Sequence, residues 1–162
     1  MKKFFEFFDD EDLKSRFEIP YLKGEMDKEI SKNFTKIPLS SGDENTDKLV
    51  ENVLSQYPIL TKFQSQLVDH DGDRFVAFYA TSYKPVQGMT FYAQAGLAFI
   101  EGTYVITLIL KDVEDDDQDN WEIRDYEVTE MEDVYVIMDS FMMACEKLNI
   151  VKPEDKFSIM RN

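Results

Sequence analysis

The sequence predicts an α+β domain in which a twisted antiparallel sheet of about five to six strands has helices packed on it. Two segments with helical periodicity and a run of strand-like segments between them support this prediction. The connections between the strand-like segments are short enough for antiparallel hairpins. Within the 162 residues we expect an irregular N-terminal extension at residues 1–33, the domain at 34–149 and a C-terminal tail at 150–162.

The N-terminal part of the chain contains a charged extension, a short strand and the first helix. Four phenylalanines of the extension either form one face of a short helix packed on the domain or belong to an exposed docking segment; they are Phe4, Phe5, Phe7 and Phe8. Residues 33–39 alternate apolar and polar side chains and fit an edge strand, because Pro38 cannot donate to a ladder. A helix is predicted from Thr46 to Gln56, with Thr46 or Asn45 as its cap.

Four strand segments follow the first helix; they are Phe63–Val68, Arg74–Tyr83, Met89–Phe99 and Thr103–Leu110. The last of them lacks charge and is dominated by β-branched residues, so we expect it to be central in the sheet. Asp71-Gly72 is a strong hairpin signal, and Ile100–Gly102 is expected to make a tight turn. Residues 121–128 are expected to extend a strand.

The last helix has a start signal and an apolar stripe. Thr129 and Glu132 have the spacing of a capping box. The stripe residues recur at helical spacing and are expected to face the core; they are Val134, Met138, Phe141, Met142, Cys145 and Leu148. We therefore expect the thiol of Cys145 to be buried.

Composition excludes several classes of function. The chain has 33 acidic and 18 basic residues, and this balance argues against nucleic acid as a ligand. The single Cys excludes a disulfide framework and a Cys-rich zinc site, and the single His excludes any site that needs two imidazoles. No stretch reaches the roughly 18 apolar residues that a membrane helix requires. Because Glu6 and the acids that follow interrupt a signal-like start, we expect a cytoplasmic protein.

The sequence offers no convincing catalytic or metal site, so we expect neither an enzyme nor a bound cofactor. His70 is the only imidazole base, and no phosphate loop, nucleophile elbow or zinc-protease motif accompanies it. The segment Asp69–Asp73 resembles a calcium loop, but Gly72 precedes the third acid and no Glu stands at the closing position. A hairpin turn is the favoured interpretation of that segment.

An acidic run is the most distinctive feature of the chain. Residues 112–119 contain six acids, which repel one another and predict a mobile loop. Three interpretations stay open: a solvated loop, an electrostatic surface for a basic protein partner, and a weak site for divalent cations. The candidate partner-binding residues are Asp115, Asp116, Asp117, Asp119 and Trp121. Trp121 is either an interface anchor or a core residue.

The strands carry many aromatic rings, and strand alternation assigns them to both faces of the sheet; these residues are Tyr79, Tyr83, Phe91, Tyr92 and Tyr104. The rings either make ordinary cross-strand contacts or cover a face that is left open for a partner.

Several of these features together resemble the PsbP-like fold, over about residues 34–148. They are the capped helix 46–56, the Asp71-Gly72 hairpin, the Gln-centred strand 91–95, the Tyr-Val-Ile-Thr-Leu strand 104–108 and the terminal helix with residues 139–141. The group includes DcrB-like proteins and the Eag chaperones of Rhs-type effectors of type VI secretion. The resemblance implies that strands 91–95 and 104–108 are neighbours. It also implies a binding protein without catalytic residues.

Together these observations predict a non-enzymatic cytoplasmic protein that binds a basic protein. An immunity-type inhibitor of a cationic toxin or effector is the first hypothesis, with carboxylates that attract the partner and a surface that occludes it. An adaptor or chaperone for a secreted effector is the second. An acidic mimic of DNA is the third, and it would need regularly spaced acids along one face.

Overall fold

A computed structural model of the chain describes residues 40–155. The expected extension, the four phenylalanines within it, the predicted strand at 33–39 and residues 156–162 lie outside the described residues. The elements in chain order are α1 (Glu44–Gln56), β1 (Gln64–His70), β2 (Asp73–Thr81), β3 (Phe91–Ile100), β4 (Thr103–Asp112), β5 (Glu122–Val128) and α2 (Met131–Lys147). One five-stranded antiparallel sheet carries both helices, which confirms the α+β prediction.

The strands follow one another in the sheet in chain order, each antiparallel to the next. Two of the four connections between the strands are two-residue turns. Asp71-Gly72 joins β1 to β2 and Glu101-Gly102 joins β3 to β4, with φ of 54° and 85° in the first turn and 51° and 82° in the second. Positive φ at both positions is the geometry that matches strand twist, and glycine adopts it without strain. Both predicted turns are confirmed.

The middle of the sheet differs in detail from the sequence prediction. β2 ends at Thr81 and β3 begins at Phe91, because Val86 and Met89 pair across a separate small turn. β4 is an interior strand between β3 and β5. Residues 121–128 do not lengthen an existing strand. Residues Glu122–Val128 form the edge strand β5, which pairs with β4 along its length.

Both helices pack on one side of the sheet, which we call the first face. Its core combines residues of β2, β3 and β4 with the apolar stripes of the helices. The predicted stripe of α2 is buried, and burial raises the pKa of the Cys145 thiol. Ile150 and Val151, which follow α2, also belong to this core.

The helix starts differ from the two predicted caps. Asp43 caps α1, since its carboxylate accepts a hydrogen bond from the Thr46 N–H at 2.9 Å. Thr46 is only 1% exposed, and its hydroxyl instead accepts from the Phe99 N–H of β3 at 2.9 Å. The capping box of α2 is wrong: Glu130 stands at the cap and no side chain there bonds the helix. A tertiary contact therefore uses the hydroxyl that local sequence would place at a cap.

The opposite side of the sheet, which we call the second face, holds its own apolar cluster. Its members are Val68, Phe75, Ala77, Tyr79, Tyr92, Ala98, Val105, Ile109 and Trp121. The rings of Tyr79 and Tyr92 stack there at 5.7 Å, whereas Phe91 and Tyr104 lie on the first face. Aromatic residues thus occupy both faces, as alternation predicts.

Candidate functional site

The acidic loop, residues 112–119 between β4 and β5, is built from consecutive turns. In each turn an aspartate carboxylate accepts a hydrogen bond from the backbone N–H two residues later. The bonds run from Glu114 to Asp112 at 3.0 Å, from Asp117 to Asp115 at 3.0 Å and from Asp119 to Asp117 at 3.1 Å. This is the local bonding that aspartate favours in turns. The self-repulsion that predicts a mobile loop is therefore opposed by a defined set of hydrogen bonds.

Asp115 ties the acidic loop to the sheet. Its carboxylate accepts from the Asn120 side-chain amide at 3.0 Å, and its carbonyl accepts from the indole N–H of Trp121 at 2.8 Å. Asp115 is half-buried as a result. Of the predicted contact residues, this one has a structural role that competes with partner binding.

Trp121 is a core residue and not an exposed anchor. It is 8% exposed and belongs to the second-face cluster. The ammonium of Lys111 lies 4.6 Å from the centre of its ring and 5.9 Å from that of Tyr92. Such cation–π contacts stabilise the ammonium of Lys111 in its buried position beside the two rings. Of the two interpretations of Trp121, its burial supports the core residue, and its contact with a partner stays a prediction.

Lys111 was not singled out from the sequence. The β3–β4 register places it opposite Tyr92, so the pairing of these two strands is the signal that would have found it.

The remaining acids of the loop face outward. Glu114, Asp116, Asp117 and Asp119 are exposed, and Val113 beside them is a partly exposed apolar residue. Within residues 40–155, Glu114, Asp116 and Asp117 form no ion pair with a Lys or Arg. The same stretch holds 24 acidic and 8 basic residues, so the whole net charge of the protein resides on the described domain. The acidic loop therefore presents exposed carboxylates that have no cationic partner among residues 40–155, and backbone hydrogen bonds hold its conformation.

The Asp69–Asp73 segment is the β1–β2 hairpin, as interpreted from the sequence. The guanidinium of Arg74 bonds the Asp69 carboxylate at 2.7 Å and lowers the pKa of that group. His70 Nε2 lies 3.3 Å from the Asp71 carboxylate. His70 lies on the same side of β1 as Val68, which is the second face of the sheet. Cys145 lies in the first-face core. The sheet thus separates the only imidazole from the only thiol.

Within the described part of the chain, no group of three or more His, Cys, Asp or Glu side chains is arranged to hold a metal ion. No helix between residues 40 and 155 is both long and apolar enough to cross a bilayer.

Comparisons with protein-family models, curated proteins and solved structures returned no match. β3 and β4 are neighbours, as the resemblance to the PsbP-like fold implies, but such pairing is common to antiparallel meanders. The family assignment stays a prediction.

Proposed function

We propose that this protein is a non-enzymatic binding protein that uses the acidic loop to engage a basic protein, most simply as an immunity-type inhibitor of a cationic toxin or effector. The observation that carries the proposal is the set of exposed carboxylates at Glu114, Asp116 and Asp117, which have no cationic partner among residues 40–155. A cytoplasmic location belongs to the same proposal and is supported by the single, buried thiol.

The loop suits this role because some of its acids hold its backbone conformation while others remain available to bind a partner. Asp112, Asp115 and Asp117 use carboxylate oxygens on backbone N–H groups, so the turn conformation exists before a partner arrives. Preorganised binding surfaces lose less conformational entropy on association. Glu114 and Asp116 make no side-chain hydrogen bond within residues 40–155, so their charge is free to act on a partner.

Electrostatics would act mainly on the association rate. A field of one sign accelerates the approach of an oppositely charged protein and excludes partners of like charge. The inhibitor would then block the toxin by covering its cationic surface, which for a nuclease is also its substrate-binding surface. A DNA mimic would need acids spaced regularly along one face, whereas the densest group of exposed acids here, at residues 114–119, lies in a single loop.

The test compares two double charge reversals that change the net charge equally. The loop variant is Glu114→Lys with Asp116→Lys, which leaves the turn-forming carboxylates intact. The control is Glu51→Lys with Glu130→Lys, at exposed positions on α1 and before α2. Tagged wild type and both variants are used to capture proteins from native lysate at about 50 mM and about 500 mM salt, with mass spectrometry as the readout.

We expect a basic protein that wild type and the control retain at low salt, and that the loop variant and high salt both release. Purified wild type should then inhibit the purified partner's activity at a one-to-one ratio, and the loop variant should associate more slowly. A partner held equally by the loop variant would contradict the role of the loop. Recovery of no basic protein would contradict the proposal as a whole.

The adaptor hypothesis has one observation in its favour, which is the apolar cluster of the second face. Binding through that face would persist at high salt, because hydrophobic contacts are not screened. A partner retained at about 500 mM salt and by the loop variant would favour the adaptor.

A further inference from the structure

The second face of the sheet is buried although neither helix packs on it. Side chains at its centre are nearly inaccessible, with Val105 at 3% and Ile109 at 1% exposed. All helix residues of the core belong to the first face, and the second-face cluster contains none of them. Trp121 and Lys111 contact each other beside the acidic loop, with 4.6 Å between the ammonium and the ring centre. A large apolar surface of this kind requires a cover.

The same face contains a row of buried polar side chains. The strand register places Gln66 beside Ala77, and Thr107 lies across Gly96 in the same row. Gln94 lies in the adjacent row, opposite Tyr79. Both amide atoms of Gln66, the amide nitrogen of Gln94 and the hydroxyl of Thr107 have no hydrogen-bond partner among the described residues. A buried amide without a partner destabilises a fold, because it has lost its hydrogen bonds to water.

The chemistry of the face therefore selects its occupant. Apolar rings need an apolar cover, and the amides need both donors and acceptors. A polypeptide meets the two requirements, because its side chains can bury the rings while its backbone N–H and C=O groups form hydrogen bonds with the amides. A purely apolar surface would leave the amides unpaired.

We propose that the second face is the docking site of this chain's own N-terminal segment, residues 1–39. The described domain begins where this segment would need to enter. Ser41 is fixed by two hydrogen bonds to the Asp47 carboxylate, both at 2.8 Å. Thr46 is bonded to the backbone of Phe99, next to Ala98 of the second face. The chain thus enters α1 at the end of the sheet where β3 turns into β4.

Length and composition both fit. The face is five strands wide at about 4.8 Å per strand and at most ten residues long at about 3.3 Å per residue, so about ten extended residues cross it. The segment has 39 residues and contains the four phenylalanines at positions 4, 5, 7 and 8. It holds 8 basic and 9 acidic residues, so it adds little repulsion to a domain that is strongly acidic.

Thiol labelling of the full chain tests whether the face is covered. The variant Val105→Cys places a thiol of similar volume on the second face, and Val136→Cys places one on α2 at a position that is 61% exposed. The native Cys145 is buried in the first-face core and contributes no background. We expect native Val105→Cys to react with a maleimide at least about tenfold more slowly than Val136→Cys. A smaller difference would show an open face and overturn the proposal. Ala98→Cys on the same face replaces Val105→Cys if that variant does not fold.

Disulfide trapping identifies the cover. Val105→Cys is combined in turn with Phe8→Cys, Phe17→Cys and Leu22→Cys in the full chain, and each double variant is oxidised at low protein concentration. An intramolecular disulfide in at least one pair, absent from the matching Val136→Cys pairs, supports the proposal. Disulfide-linked dimers alone would assign the face to a second copy. If no pair forms a disulfide, the second face is covered by a foreign segment or by water. Dimers alone, or no disulfide at all, would each overturn the proposal.

Discussion

Replacing Thr46 by valine should separate a tertiary hydrogen bond from the packing around it. The Thr46 hydroxyl, on the first turn of α1, accepts from the Phe99 N–H of β3, and the side chain is 1% exposed. Valine has the same shape as threonine but no acceptor. Thr46→Val therefore leaves the Phe99 N–H without its partner while the surrounding contacts are kept.

The expected loss follows from the group that is left unpaired. A donor that loses its acceptor in a buried or half-buried position destabilises the fold by about 1–3 kcal/mol. Helix propensities of threonine and valine are nearly equal, so they add nothing to the difference. The matched variant Thr46→Ser keeps the hydroxyl and removes one methyl group, which corresponds to about 0.8 kcal/mol. Thr46→Val should thus be the less stable of the two.

Urea unfolding followed by far-UV circular dichroism measures both variants against wild type, with an unchanged denaturant slope as the condition for comparing midpoints. Hydrogen exchange of the Phe99 amide provides the local readout, and it should accelerate in Thr46→Val and much less in Thr46→Ser. A Thr46→Val protein at least as stable as Thr46→Ser would refute the reasoning, because packing and not the hydrogen bond would then be the main contribution of Thr46.

Three further perturbations address single features of the domain. Asp43→Ala removes the cap of α1 and should lower the free energy of unfolding by about 0.5–2 kcal/mol. Asn45→Ala, at a position that the local sequence also favours as a cap, should change that free energy little. Equal losses of the two variants in urea unfolding would contradict the assignment of the cap. Burial tends to raise the pKa of Asp47, but hydrogen bonds from the Ser41 N–H and hydroxyl and from Ser40 outweigh it and lower that pKa below 3.8. The carboxylate therefore stabilises the fold above about pH 4 and stops doing so as the pH falls through its folded-state pKa. The stability difference between wild type and Asp47→Asn should be constant near neutrality and shrink in acid, and a difference that grows in acid would contradict it. Burial raises the pKa of the Cys145 thiol, so an aromatic disulfide reagent should label it only after unfolding in urea, and rapid labelling of native protein would contradict its place in the core.

Local chemistry was enough to predict the hairpins and the buried helix stripe. Asp71-Gly72 and Glu101-Gly102 adopt positive φ at both positions, which is the geometry of a type I′ hairpin turn, and the glycine of each pair does so without strain. The stripe from Val134 to Cys145 on α2 is buried as its spacing predicts, because a helix of this periodicity has one apolar side to bury. These features depend on neighbours close in the chain.

The caps and Trp121 show where local rules are insufficient. Thr46 and Thr129 are both good cap residues by type, yet Thr46 bonds a strand and no side chain caps α2. Trp121 follows an acidic run, and the sequence leaves both an interface and a core position open for it; the structure places its ring against the ammonium of Lys111. For Thr46, a backbone donor distant in sequence takes the hydroxyl that a local cap would use, and Trp121 is buried against side chains of the sheet.

For this protein, the sequence by itself determined the class of fold, the order of the strands, the acidic balance and the burial of its only thiol, since all of these follow from periodicity, turn chemistry and residue counts. The tertiary structure alone decided which acids shape the loop and which face outward, and that one face of the sheet is buried without a helix on it. Those outcomes depend on strand register and on which elements share a side of the sheet, and neither is encoded in any short stretch of residues.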